Sequence, residues 1–342
     1  MKALRLHSSG KIQIHNETIP EPDEGEVLVR VTSVAICGSD IHWVNQGGIG
    51  DAKITRPLIL GHEAAGIIAS GPRTGTRVAI DPAINCGECK QCQEGNPNLC
   101  QAMRFSGHGL QDGALREYMP WPEKFLFPIP ETLSLDNAAM LEPLGVAIYA
   151  MDIANIKPGM RIGVLGCGPI GLLLIQLAKQ MGATQIIATE KLPHRLEAAR
   201  ACGATDAFLI KNDEDFPDFT SITESEGVDI AFEAAGSDHA LQCAVEAAGF
   251  GTSVILVGIP DNDEHRLTAS LVRRKGLTIK LCRRMKHTYP RAIRLAEQGL
   301  VDLKSIVTHH FAIDEFQEAF SAASSRQGLK VIIEPTPPIN NQ

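Results

Sequence analysis

Arg161-Ile-Gly-Val-Leu-Gly-Cys-Gly-Pro-Ile-Gly171 is the stretch on which the fold turns. A short apolar run, Arg161 to Leu165, leads directly into a G-x-G-x-x-G loop, and the apolar series Leu172 to Met181 that follows has the length of a helix. Strand, glycine loop and helix in that order are the fingerprint of a dinucleotide-binding βαβ unit. Gly166 permits the tight turn, Gly168 lets the backbone approach a pyrophosphate, and Gly171 lets helix and strand pack closely. Pro169 and Ile170 complete the loop, and free N–H groups at the helix start favour negative charge. Glu190 falls nineteen residues after Gly171, at the end of the next apolar run, Gln185-Ile-Ile-Ala-Thr. A carboxylate there accepts from both hydroxyls of an unphosphorylated ribose and repels a 2'-phosphate, which favours NAD. The alternative is that Lys191 or Arg195 tolerates the phosphate of NADP.

Outward from this loop the pattern repeats. A helix around Leu196 to Ala201, a strand Val228 to Phe232, a helix His239 to Ala247 and strands Ser253 to Val257 and Leu277 to Leu281 predict a parallel sheet covered on both faces. Before Pro143 the texture differs: Glu26-Val-Leu-Val-Arg-Val-Thr-Ser-Val, Ile67-Ile-Ala-Ser and Arg77-Val-Ala-Ile alternate apolar and polar residues between Gly and Pro turns, which predicts a mainly β domain. Beyond Lys286 come two helical patterns, one opened by Pro290 and closed by Gly299, the other from Asp314 through Ala323, and then a strand, Lys330-Val-Ile-Ile-Glu. The expected organisation is α/β with a discontinuous mainly β domain, 1–144 and 285–342, and a doubly wound domain, 145–284. The Pro- and Asn-rich end after Glu334 is expected to fray.

Composition narrows the function. The chain has 342 residues, 44% hydrophobic and 21% charged, as in soluble globular proteins. Its start lacks the apolar core of a signal peptide and no apolar run reaches membrane-spanning length, so a cytoplasmic protein with no membrane partner is expected. A net charge of -8 argues against a nucleic-acid partner. The one basic cluster, Arg273-Arg274-Lys275 with Arg283, Arg284 and Lys286 further on, reads as a solvated face or a cofactor phosphate contact.

Cys86-Gly-Glu-Cys-Lys-Gln-Cys92 and Cys100 place four thiols in one short loop. Four thiolates complete a tetrahedral shell, so Cys86, Cys89, Cys92 and Cys100 read as a closed structural zinc site, with two disulfides or free thiols as the alternative. Cys167, Cys202, Cys243 and Cys282 sit in apolar contexts and read as small core or near-core residues. A closed site leaves no position for substrate. Turn-rich segments elsewhere offer an open one: Cys37-Gly-Ser-Asp40, Gly61-His-Glu63 and, in Met140-Leu-Glu-Pro-Leu144, Glu142. One thiolate, one imidazole and two carboxylates suit a zinc that keeps a coordination position free and lowers the pKa of a bound alcohol. Asp40 is the expected partner for the second ring nitrogen of His62.

These motifs in this order, Cys37-Gly-Ser-Asp, Gly61-His-Glu-Ala-Ala-Gly66, the four-cysteine loop, Leu141-Glu-Pro-Leu and the glycine fingerprint, resemble the zinc-dependent medium-chain dehydrogenase/reductases over nearly the whole chain. Glu142, standing where many simple alcohol dehydrogenases carry a third zinc-binding cysteine, makes the likeness greatest to the polyol, or sorbitol, dehydrogenases, and the four-cysteine loop, which animal sorbitol dehydrogenases have lost, resembles that of bacterial-type members. The resemblance implies a GroES-like catalytic domain, a Rossmann cofactor domain, NAD and two zinc ions per chain. It implies catalytic zinc held by Cys37, His62 and Glu63, with Glu142 binding directly or through a water, and a proton relay through Ser39 and His42. It places Ile170, Glu190, Arg195, Val257, Gly258, Ile259 and Arg283 along the cofactor, and Trp43, Phe105, His108, Arg284 and Met285 around the substrate. Trp43 and Met285 stand where sorbitol-type enzymes tend to show tyrosines, and His108 replaces a small hydroxyl residue, so a polyol is implied without naming one. Oxidation of a secondary hydroxyl to a ketone, in a homotetramer, is the expected function. L-threonine or 2,3-butanediol oxidation is the alternative within the family, and a non-catalytic redox sensor the alternative from another class.

Overall fold

The structure, a computed structural model, describes residues 1–212 and 215–337. The chain forms two compact units, Met1–Pro143 with the chain from Tyr289 onward, and Leu144–Thr288.

In the second unit, six strands lie in the order Asp206–Leu209, Gln185–Glu190, Arg161–Leu165, Val228–Glu233, Ala248–Leu256, Thr278–Leu281. All neighbours are parallel. This is the 3-2-1-4-5-6 order of a Rossmann sheet, whose reversal point beside the first strand opens the crevice for a dinucleotide. The central strands are buried on both faces, which is why Ile162, Val164, Leu165, Ala231 and Phe232 form near-continuous apolar runs. Helix Pro169–Gln180 begins three residues earlier than its apolar run suggests, because proline at the first turn lacks only an N–H that would be unpaired there. The short strand Asp206–Leu209 and the single turn Phe219–Ile222 carry too little periodicity to be read from sequence.

One member of the basic cluster receives a different meaning. Arg273, Arg274 and Lys275 form the last turn of helix Ala269–Lys275. Lys275 Nζ donates to the carbonyls of Glu246 and Ala248, both at 2.7 Å, and of Val245 at 3.1 Å, closing the C-terminal end of helix Asp238–Ala247. It is a helix cap rather than a solvated charge or a phosphate contact.

The first unit is built on a seven-stranded sheet. Strand Glu26–Ala35 is its centre, paired antiparallel with Tyr118–Pro122, Glu63–Ile68 and, through Ala35 and Val34, with the C-terminal strand Lys330–Glu334. The core gathers Val29, Val31, Ile68, Val78, Trp121, Phe320 and Ile333. Tyr289 stacks on Phe127 with centroids 4.6 Å apart and donates its hydroxyl to the Ile80 carbonyl at 2.8 Å. The segment holding Cys37 is no loop: Gly38–Gln46 is a helix, with Cys37 at its N-cap and Gly47 closing it at φ 69°. Fraying does not begin at Glu334, since Thr336 is buried and its hydroxyl donates to the Val31 carbonyl at 2.7 Å. The rest of that expectation, from Pro338, lies outside the described residues. Among the described residues no helix is long and apolar enough to cross a membrane.

Candidate catalytic metal and dinucleotide sites

Three elements of the first unit deliver the open metal set. Cys37 caps helix Gly38–Gln46, His62 follows Gly61 at a turn, and Glu63 begins strand Glu63–Ile68. Their ligand atoms lie within 4.8 Å of one another, with His62 and Glu63 buried and Cys37 half-buried. Soft thiolate, imidazole and carboxylate, three protein donors where a structural site has four, are the set of a catalytic rather than a structural zinc. Glu142 is buried in the same unit but is not part of this close group.

Buried donors must be oriented, and the structure shows how. Asp40 Oδ2 accepts from the Cys37 backbone N–H at 2.9 Å, its Oδ1 accepts from Gly61 N–H at 3.2 Å, and Oδ1 stands 3.5 Å from His62 Nδ1. One carboxylate therefore ties the helix start, the turn and the imidazole together, leaving Nε2 of His62 to face a metal. Burial opposes charge on both residues, yet each stabilises the other: Asp40 and Cys37 raise the pKa of His62 well above the ordinary imidazole value, and His62 with the two N–H donors lowers that of Asp40.

Behind Glu63 lies a residue that motif reading missed. Lys330 Nζ is 2.5 Å from Glu63 Oε2, and both side chains are almost fully buried, at 5% and 2% exposure. Burial opposes the ammonium, but the charges of Glu63 and Cys37 outweigh it and raise its pKa. The available signal was a lysine opening an otherwise apolar buried strand, Lys330-Val-Ile-Ile.

Ser39 and His42 stand one turn apart on helix Gly38–Gln46, and Ser39 Oγ lies 3.4 Å from His62 Nε2. Trp43, on the same helix, is buried, and its ring meets His108 edge-on at 5.4 Å. Phe105 lies 5.3 Å from His62 and 6.5 Å from His108. The structure thus gathers Trp43, Phe105 and His108 beside the metal set. Arg284 and Met285 belong to the second unit, where Arg284 adopts φ 58° and Met285 is buried against Gly145.

The four-cysteine loop closes around the short helix Lys90–Gln93. Sulfur separations are 3.5 Å for Cys86–Cys100, 3.6 Å for Cys89–Cys92 and 4.0 Å for Cys86–Cys92. Tetrahedral zinc with Zn–S bonds of about 2.3 Å requires sulfurs about 3.8 Å apart, so the loop fits the ion. Backbone N–H groups of Glu88 and Cys89 lower the Cys86 thiol to about 6, whereas desolvation raises that of Cys92 to about 12. All nine cysteines are thiols, so the disulfide alternative does not hold. A third group, Asp136, His310 and Glu334, also brings ligand atoms together, with His310 well exposed and its Nδ1 3.7 and 3.5 Å from the two carboxylates.

In the second unit, Gly166 has φ 101°, and a Cβ on Gly171 would stand 2.0 Å from the Gly166 carbonyl oxygen, so neither position accepts a side chain. Helix Pro169–Gln180 starts at Gly168 with its free N–H groups at the loop. Glu190 is fixed by backbone donors: Oε2 accepts from Cys167 N–H at 2.9 Å, and Oε1 from Lys191 and Leu192 at 2.7 and 3.1 Å. Arg195 borders the loop, its Nη1 being 3.6 Å from where a Gly168 Cβ would lie. Val257 and Gly258 follow the neighbouring strand, half-buried, and Ile259 is exposed. The donor set, the bare glycine cradle and the anchored acid fit a dinucleotide.

Known proteins share this design. Residues 23–131 match the alcohol dehydrogenase GroES-like domain, and residues 169–298 the zinc-binding dehydrogenase family. Sorbitol dehydrogenase of Bacillus subtilis is 37% identical over 98% of this chain and 97% of its own. L-threonine 3-dehydrogenase of Chromobacterium violaceum is 33% identical over 98% and 99%. Among solved structures, an oxidoreductase/dehydrogenase of unknown specificity from Escherichia coli superposes with a TM-score of 0.91 at 33% identity, covering 98% of this chain and 99% of its own.

Proposed function

Because this chain belongs to the zinc-dependent medium-chain dehydrogenase/reductases and is an NAD-dependent oxidoreductase of small alcohol or sugar substrates, we propose that it oxidises a secondary hydroxyl of a polyol to a ketone. The observation that carries the polyol reading is His108, a polar side chain set against Trp43 and Phe105 beside the metal ligands. A hydrogen-bonding group in such a wall rewards a substrate with a second hydroxyl and penalises one without it.

Cys37, His62 and Glu63 would hold the zinc, with Glu142 reaching it directly or through water, and Cys86, Cys89, Cys92 and Cys100 a structural ion. The catalytic ion supplies a Lewis acid that makes a carbinol acidic near neutral pH, and NAD supplies the hydride acceptor. The chain's own residues do the rest. Ser39 receives the carbinol proton and passes it to His42, one turn along the helix toward solvent. Asp40 keeps the His62 ring in the tautomer that offers Nε2, and Lys330 balances the carboxylate of Glu63. Gly166, Gly168, Pro169, Ile170 and Gly171 cradle the pyrophosphate and Glu190 takes the ribose hydroxyls, with Arg195, Val257, Gly258, Ile259 and Arg283 along the dinucleotide.

The test is a panel of xylitol, sorbitol, L-threonine and 2,3-butanediol with NAD and with NADP. Ketose formation with NAD is expected. Exclusive use of L-threonine, which the 33% identical threonine dehydrogenase makes the second reading, would overturn the polyol assignment. Sedimentation of the purified protein is expected to give a homotetramer.

A further inference from the structure

Glu233 ends strand Val228–Glu233, at the carboxyl edge of the parallel sheet, the edge that receives a nucleotide in folds of this strand order. Its side chain is completely buried. A carboxyl group hidden in this way is costly, and an apolar side chain would fill the space more cheaply unless the oxygens were needed.

Both ends of the residue are engaged. The backbone carbonyl accepts from the N–H groups of Val257 at 2.8 Å and Gly258 at 3.1 Å, fixing the loop after the next strand. Oε1 accepts from Ala235 at 2.8 Å and Gly236 at 2.7 Å, fixing the loop after its own strand. That second loop abuts the glycine fingerprint: Ala234 N–H donates to the Leu165 carbonyl at 2.9 Å, and a Cβ on Gly166 would stand 2.9 Å from both Ala235 N and Ala235 Cβ. Oε2 has no hydrogen-bond partner among the described residues and lies 2.5 Å from where a Cβ on Gly258 would be. The carboxyl group therefore occupies the space that glycine at 258 leaves open.

We propose that Glu233 is the positioning residue of the dinucleotide site, holding the Val257–Gly258–Ile259 backbone in register with the glycine fingerprint through the Ala234–Gly236 loop. It rests on the dinucleotide reading of this unit. No function of charge is required, since Oε1 acts as an acceptor in either protonation state, and burial raises the pKa of this carboxyl despite its backbone donors. An amide should therefore replace it, while a shorter acid cannot reach.

The experiment is titration of NADH fluorescence on the zinc-loaded enzyme and its variants, beside steady-state kinetics. Glu233→Gln is expected to bind NADH as the wild type does. Glu233→Asp and Glu233→Ala are expected to raise the NADH dissociation constant and the KM for NAD by about tenfold or more, the loss of one to two well-placed hydrogen bonds, with the KM for the alcohol and the zinc content unchanged. Wild-type affinity in either Glu233→Asp or Glu233→Ala, or failure of Glu233→Gln to match the wild type, would overturn the proposal. If Glu233→Ala does not fold, Glu233→Asp decides. Failure of the wild type to bind NADH would instead overturn the dinucleotide reading.

Discussion

Lys330 and Glu63 show how much a single residue can carry. A carboxylate at 2% exposure tolerates its charge because an ammonium stands 2.5 Å away, and removing one member of such a pair leaves the other uncompensated. In the zinc-free protein, where no metal charge compensates Glu63, Lys330→Met is expected to lower stability by about 3–5 kcal/mol in urea unfolding, with Lys330→Arg recovering part of the loss. The glycine fingerprint makes a different demand, for space. Gly171→Ala puts a methyl group 2.0 Å from the Gly166 carbonyl oxygen, so the helix must withdraw from the loop. That variant is expected to lose NADH binding in a fluorescence titration and keep its zinc by metal analysis. His62 and Asp40 owe their altered pKa values to each other, so neither can be replaced without disturbing the partner.

Elements end where something satisfies their free backbone groups, and two ends are testable. Lys275 closes helix Asp238–Ala247 with three carbonyl contacts. Lys275→Met is expected to cost about 1–2 kcal/mol, as cation and hydrogen bonds to a helix C-terminus are lost together. Asp218 caps the turn Phe219–Ile222, accepting from the Ser221 and Thr220 hydroxyls, both at 2.5 Å, and from the Thr220 N–H at 3.0 Å. Those donors depress its pKa to about 2, with the Ser221 hydroxyl the largest cause. The unfolded value is about 3.9, so the folded chain binds its proton later than the unfolded one. The cap's contribution is complete above about pH 4 and is lost as pH falls through the folded value. An NMR titration of the Asp218 carboxyl should show the low midpoint, and Asp218→Asn should remove this part of the acid sensitivity.

At the scale of the molecule, the two metal clusters separate chemistry from construction. Cys37→Ser is expected to lose one zinc and all turnover with little change in melting temperature, whereas Cys92→Ser should lose the other zinc and melt earlier, because structural zinc contributes to folding directly. Metal analysis, calorimetry and NADH production on the same preparations check both. A Cys37→Ser enzyme that turns over without that zinc would refute the mechanism.

What the sequence determined by itself is local. The strand-loop-helix fingerprint, the four-cysteine loop and the final strand Lys330–Glu334 are legible because each is specified by residues a few positions apart, whose spacing reflects backbone geometry directly. His62 and Cys37 are legible as donors, but the helix Gly38–Gln46 that carries Ser39, His42 and Trp43 is not, since a nine-residue helix held by an Asp40 side-chain bond leaves little periodic signal. Only the tertiary structure decided which distant groups meet: Lys330 with Glu63, Tyr289 with Ile80, Glu233 with Val257 and Gly258, Lys275 with the end of another helix. Buried charges and unpaired backbone groups take whichever partner the fold brings within about 3 Å, and that choice rests on strand order and packing rather than on separation along the chain.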